Sequence, residues 1–197
     1  MKLKIGFLGA SFDPVHLGHL EIANYSMANL NLHEVWFAPN KKPYYKQQAI
    51  ATDEQRLKML QLATEDKNHF KIYTKEIEAP NYTHTIDSLK IIKQEFSNIE
   101  IYLLMGSDSL SNLNSWKQGK DILQYANIVV FNRTTHQINK EILQRDYQGE
   151  RILLQQENIQ EISSSDIRNE LKNYKDNIGK KTLAYIEAHK IYHKIKR

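Results

Sequence analysis

Short apolar runs alternate along the chain with longer segments whose apolar residues recur every three or four positions. Lys2–Leu8 (KLKIGFL) reads as a first strand, and Leu17–Leu30 as a helix carrying Leu17, Leu20, Ile22, Ala23, Met27 and Leu30 at helical spacing. Glu34–Pro39 (EVWFAP) is a short strand closed by proline. Thr52 or Asp53 then caps a helix with Leu57, Leu60 and Ala63 on its apolar side. Phe70–Ile77 (FKIYTKEI) alternates as a strand does, and Thr83 or Thr85 caps a helix to about Phe96 with Ile86, Leu89 and Ile92 on one face. Glu100–Gly106 (EIYLLMG) and Asn127–Arg133 (NIVVFNR) are strands on either side of a helix-rich piece at Trp116–Tyr125. A helix near Asn139–Arg145 precedes a short strand at Arg151–Gln155, and helices at about Ser164–Tyr174 and Lys180–Tyr192 follow.

Strands separated by helices of these lengths build right-handed βαβ units. The expected fold is therefore α/β: a Rossmann-like, mostly parallel sheet with helices on both faces and a C-terminal helical segment. No repeat, low-complexity tract or Pro/Gly-rich linker divides the sequence, so residues 1–197 are read as one domain. In such sheets ligands bind beyond the carboxyl ends of the strands. Gly9–His19, Pro39–Lys46, Gly106–Trp116 and Arg133 all follow strands, so one crevice is expected to collect them.

Composition narrows the chemistry. The chain has no cysteine, which excludes disulfides, thiolate metal sites and a thiol nucleophile. It also suits a reducing, cytoplasmic location. The start, MKLKIGFLG, lacks the apolar core and cleavage site of a signal peptide, and the most apolar run, Ile101–Met105, is too short to span a bilayer. A formal net charge of +4 favours polyanionic small molecules, and is compatible with nucleic acid.

The most informative stretch is GASFDPVHLGH, Gly9 to His19. His16 and His19 stand three residues apart at a strand-to-helix junction, and three readings compete: a metal site, a phosphate site, or two surface histidines. Positions i and i+3 share a helix face, so both rings can reach one ion. Yet the pattern is H-L-G-H, without the glutamate of H-E-x-x-H. The phosphate reading uses more of the stretch. Gly9, Ala10 and Ser11 are small enough for a phosphate to approach the backbone, and a helix N-terminus offers N–H donors and partial positive charge. Histidine's reference pKa of ~6.5 lets a bound polyphosphate favour the charged ring. No G-x-G-x-x-G or G-x-x-x-x-G-K-[ST] pattern is present.

GASFDPVHLGH resembles the G-x-F-D-P-x-H-x-G-H signature of a nucleotidyltransferase superfamily. ISSSDIR, Ile162–Arg168, is similar to the I-S-S-T-x-I-R of the same group; read alone it is a helix N-cap. Within that superfamily, PNKKPYYK, APNYTHTIDSL, GSDSLSNLNSW, VVFNR and AYIEAHKIY resemble, in order, segments of the bacterial nicotinate-mononucleotide adenylyltransferase family. Departures are Ala10 for a second glycine, Tyr44-Tyr45 for a Pro-His pair, and Thr134 for a proline.

The resemblance implies transfer of AMP from ATP to nicotinate mononucleotide, giving nicotinate adenine dinucleotide and pyrophosphate. His16, His19 and Arg168 would be catalytic. The ATP contacts would come from Gly9, Ala10, Ser11, Phe12, His16, His19, Gly106, Asp108, Arg133, Ser163, Ser164, Ser165, Ile167 and Arg168. Asn40, Lys46, Tyr82, Thr83, Asp108 and Trp116 would hold the acceptor. Mg²⁺ is expected with ATP, held by phosphates and water rather than by a protein metal site. Neither nucleic acid nor membrane is an expected partner; self-association is left open. Plainer readings stand beside these: Tyr82 and Trp116 as core aromatics, Asp108 as a helix cap, and His189–Arg197 as an exposed basic helix end. Related acceptors (nicotinamide mononucleotide or phosphopantetheine) and a non-catalytic nucleotide- or RNA-binding protein are the alternatives.

Overall fold

The computed structural model describes residues 2–41, 50–81, 83–132, 152–155 and 162–193. Six strands form one parallel sheet: β1 (Leu3–Ala10), β2 (Glu34–Pro39), β3 (Phe70–Ile72), β4 (Ile99–Gly106), β5 (Asn127–Phe131) and β6 (Ile152–Gln155). Their order is β3-β2-β1-β4-β5-β6, so the chain winds outward from β1 to β3, then crosses to β4 and winds the other way. That reversal beside β1 opens a crevice at the carboxyl ends of β1 and β4.

Among the described residues the α-helices are α1 (Leu17–Asn29), α2 (Asp53–Thr64), α3 (Lys75–Glu78), α4 (Thr85–Glu95), α5 (Ser107–Ser111), α6 (Ser164–Asn169) and α7 (Lys180–Ala188). Side chains alternate across a strand, and here the alternation serves two cores. Ile5, Phe7, Ile101, Leu103, Ile128 and Val130 pack with Ile86, Leu89 and Ile92 of α4. Leu8, Val35, Phe37, Leu104, Val129 and Phe131 pack with α1, α2, α6 and α7 through Ile22, Leu60, Ile167 and Ile186.

Several elements differ from their sequence patterns. The alternation expected over Phe70–Ile77 ends at Ile72, and the chain turns into α3, burying Glu76 and Ile77 together. On α2 the buried stripe is Arg56, Met59, Leu60 and Thr64, rotated from Leu57, Leu60 and Ala63. Thr52 is its N-cap, accepting a bond from the Gln55 N–H. His84, rather than either threonine, occupies the N-cap of α4. The Trp116–Tyr125 piece holds a 3-10 turn at Gly119–Gln124, while α6 stops at Asn169 and is followed by 3-10 turns. The last helix ends at Ala188, not Tyr192. Lys190 and Tyr192 take left-handed backbone conformations that fold Ile191 and Tyr192 into the core instead of leaving an exposed helix end. The predicted helix at Asn139–Arg145 lies outside the described residues.

Candidate functional site

Gly9 and Ala10 end β1, and Gly106 ends β4, so the sequence delivers its smallest residues to the switch point. A cavity of about 640 Å³ opens there. Gly9, Ala10, His19, Asn40, Thr83, Gly106, Asp108 and Trp116 all line it, as do His84, Lys117 and Glu76. A β-carbon placed on Gly9 would meet only the Phe7 ring edge, 3.8 Å away, so the glycine keeps cavity space open rather than relieving a clash.

α1 begins beside this cavity with His16 as its N-cap. The His16 backbone N–H donates to Nδ1 of His19 at 3.3 Å, which leaves Nε2 as the proton-bearing nitrogen of a neutral His19. The two rings lie 3.8 Å apart between centroids, tilted by 36°. The Phe12 and His19 rings meet edge to face with 4.9 Å between centroids, and Phe12 also meets Phe37. Phe12 itself is fully buried at φ 48°, a left-handed conformation that costs a bulky residue of order 1–2 kcal/mol and is held by this packing. The first turn of α1 carries no acidic residue, so its side chains do not cancel the positive end of the helix.

Asp13 is the hub beneath the histidines. It is fully buried, and its carboxylate accepts from the Ala51 N–H (3.2 Å), the Ile50 N–H (3.3 Å) and the Tyr192 hydroxyl (2.7 Å). Burial and the Asp13 charge push the Tyr192 hydroxyl far above its ordinary pKa, so it stays a donor. Arg168 donates to the Asp13 carbonyl at 2.7 Å and to the Ser165 hydroxyl at 2.9 Å. The Ser164 hydroxyl donates to the Pro14 carbonyl at 2.9 Å. Ser163 caps α6, accepting from the Asp166 N–H, and Ile167 is fully buried in the core. The second signature is thus hydrogen-bonded to the backbone of the first.

Arg56 performs a matching task at the strand ends. Fully buried, it donates through Nη1 to the carbonyls of Ser11 (2.5 Å) and Asn40 (2.9 Å), and pairs through Nη2 with Asp53 (2.6 Å). The Asn40 N–H returns a bond to the Ala10 carbonyl. Asp108 sits in the first turn of α5, just after β4, and Trp116 is half-buried on the cavity wall. Lys46, Tyr82 and Arg133 lie outside the described residues, as do Tyr44 and Tyr45.

The sequence patterns pass over Arg56, Asp13 as a hub, Tyr192 and Glu76. Burial pushes the Glu76 carboxyl up to about 7, and the charge on Asp87 adds to this, while a 2.6 Å hydrogen bond from Ser88 opposes it. Tyr73, near it, is raised to about 12 by burial and by Glu76 and Glu95. No group of three or more His, Cys, Asp or Glu side chains able to hold a metal ion occurs among the described residues. No helix among them is long and apolar enough to cross a membrane.

Residues 7–170 match the family described as cytidylyltransferase-like. A Listeria innocua protein named "Probable nicotinate-nucleotide adenylyltransferase" is 34% identical over 195 residues, covering 98% of this chain and all of that one. A Clostridium perfringens protein of the same name is 38% identical over 175 residues, 86% of each chain. Among solved structures, the Plasmodium falciparum nicotinic acid mononucleotide adenylyltransferase complexed with NaAD superposes with a TM-score of 0.80 at 25% identity, over 96% of this chain and 97% of that one.

Proposed function

The chain belongs to the cytidylyltransferase-like family, and on that premise we propose that it transfers AMP from ATP to nicotinate mononucleotide, releasing pyrophosphate and nicotinate adenine dinucleotide. The observation that carries this reading is a cavity of about 640 Å³ at the β1/β4 switch point, lined by Gly9, Ala10 and His19 together with Thr83, His84 and Trp116.

ATP enters as its Mg²⁺ complex, the ion held by phosphate oxygens and water. Its triphosphate lies against Gly9–Ala10 and the start of α1, where the small residues admit a phosphate and the helix end favours an anion. The 5′-phosphate of the mononucleotide attacks the α-phosphorus opposite the departing pyrophosphate. That nucleophile is ionised near neutral pH, so the step needs no general base. Catalysis is positioning plus charge neutralisation. Holding the two anions in line contributes ~7–11 kcal/mol, and each preorganised donor on developing charge ~3–4 kcal/mol. His19 is such a donor through Nε2, its Nδ1 held by the His16 N–H, and the His16 ring, packed against it, is the second. Arg168, anchored on Asp13 and Ser165, adds positive charge on the α6 side.

The acceptor's ring lies toward Trp116, with its carboxylate at Thr83 and the start of α4. An amide in that place presents donors to donors and binds less well. The reading includes a cytoplasmic location, which the cysteine-free sequence suits. The test is pyrophosphate release from ATP and Mg²⁺ with nicotinate mononucleotide, nicotinamide mononucleotide and phosphopantetheine as parallel acceptors. Release with the nicotinate compound far above the others supports the reading; preference for another acceptor overturns the assignment of the Thr83–Trp116 wall.

A further inference from the structure

Glu76 is the one carboxyl of the described cavity wall that the fold buries and the reaction above does not use. It is 3% exposed, on the short helix α3, and faces the same cavity as Thr83, His84 and Trp116. Its Oε1 accepts a 2.6 Å hydrogen bond from the Ser88 hydroxyl of α4, which closes the chain segment between α3 and α4. Lys41, at the end of β2, ties the same segment by donating to the Ala79 carbonyl at 2.5 Å. Glu76 therefore stands at the acceptor end, on elements fixed from two sides.

Its surroundings offer little to balance a negative charge. On α3, Lys75 is paired with Glu95, and Glu78 accepts from the Thr74 hydroxyl. From α4 come the Ser88 hydroxyl and the Asp87 carboxylate, the latter paired with Lys117 at 3.0 Å; His84 caps that helix. From the end of β3 comes the Tyr73 phenol, packed edge-on against Phe7 of β1 and stacked with Trp36 of β2. The one lysine on the described cavity wall, Lys117, is engaged by Asp87.

We propose that Glu76 is a specificity-determining residue for the acceptor, accommodating the carboxylate on the pyridinium ring while its own carboxyl is neutral and repelling that carboxylate once it ionises. The inference rests on the adenylyl-transfer reading and deepens it. With the carboxyl raised to about 7, the change of state falls between pH 6 and pH 8. Two carboxylates in a partly dehydrated pocket repel strongly, whereas an amide ring pays no such penalty and gains an acceptor for its N–H. Discrimination between acid and amide is then greatest at the acidic side of neutrality and narrows as pH rises.

The test measures KM for nicotinate and nicotinamide mononucleotides at pH 6, 7 and 8 in the wild type, Glu76→Gln and Ser88→Ala. The two acceptors carry the same 5′-phosphate, so its titration cancels in their ratio. In the wild type the ratio of nicotinate to nicotinamide KM rises severalfold between pH 6 and pH 8, as Glu76 ionises. Glu76→Gln flattens that ratio across the range, leaving His84 and Lys117 in place. Ser88→Ala keeps the carboxyl but removes the bond that favours its ionised form, so the rise moves to higher pH. This second variant serves if the first fails to fold. A wild-type ratio independent of pH, or an identical rise in Glu76→Gln, overturns the inference while the reaction stands. No turnover with either acceptor overturns both.

Discussion

Asp13 and Tyr192, 179 residues apart in sequence, share a 2.7 Å hydrogen bond in the protein interior. The bond joins the end of the described chain to the motif that carries both histidines. Losing a hydrogen bond to a buried charge costs ~1.5–3 kcal/mol. Tyr192→Phe, which keeps the ring's packing, is expected to lower unfolding free energy by about 2 kcal/mol in urea titration. The turnover number should fall as well, since Asp13 also carries the carbonyl on which Arg168 rests. A variant as stable and as active as the parent would show that the tail is incidental to the site.

The histidine pair makes a second prediction. His19 lines the cavity, and its Nδ1 is occupied by the His16 N–H. His19→Ala should reduce kcat by about 10²–10³, the effect of removing one preorganised donor, with the melting transition retained. Because the two rings are in contact, the double His16→Ala/His19→Ala variant should lose less than the product of the single effects. Steady-state kinetics of the three proteins decide this.

Gly9 separates binding from folding. A β-carbon at this position would have no close protein neighbour. Gly9→Ala should therefore fold with an unchanged thermal midpoint, yet raise KM for ATP on the order of tenfold, about 1.4 kcal/mol of lost approach. A marked drop in the midpoint would instead assign the glycine to the fold.

Stability should also report Glu76. Its carboxyl ionises at about 7 in the folded protein against an ordinary 4.5, so between those values the native state holds a proton that the unfolded chain has released. Unfolding free energy from this group thus falls as pH rises from about 4.5 and levels off above about 7. Glu76→Gln, neutral throughout, should match the parent at about pH 4 and exceed it at about pH 8 by on the order of 3 kcal/mol. Urea titrations at the two pH values test the sign; a difference that does not change with pH contradicts it.

The alternating pattern was readable where each element buries one apolar side by itself. β2 has the bounds its pattern indicates, and Ile86, Leu89 and Ile92 of α4 are buried on one face as spaced. The pattern misleads where polar groups go inside. Arg56 is passed over as a lone charge on α2, because the carbonyls that hold it belong to Ser11 and Asn40, beyond the ends of two strands. The strand pattern gives Glu76 no role, because nothing local announces that the chain coils after Ile72 and buries it on a short helix. The cavity residues named by resemblance divide by a similar logic. Gly9, Ala10, His19, Asn40, Thr83, Gly106, Asp108 and Trp116 follow strand ends or open helices, so the topology gathers them. Ser164 and Arg168 bond to the first motif through the carbonyls of Pro14 and Asp13, a relation visible only in three dimensions.

If AMP is transferred whole at this switch-point cavity, its phosphorus must travel with it. The decisive assay supplies ATP labelled at the α-phosphorus, with Mg²⁺ and nicotinate mononucleotide, and follows the label. It should appear in nicotinate adenine dinucleotide, in amounts equal to the pyrophosphate released, and His19→Ala should slow both together. Label left in ATP or free AMP by a folded, ATP-binding protein would contradict adenylyl transfer at this site.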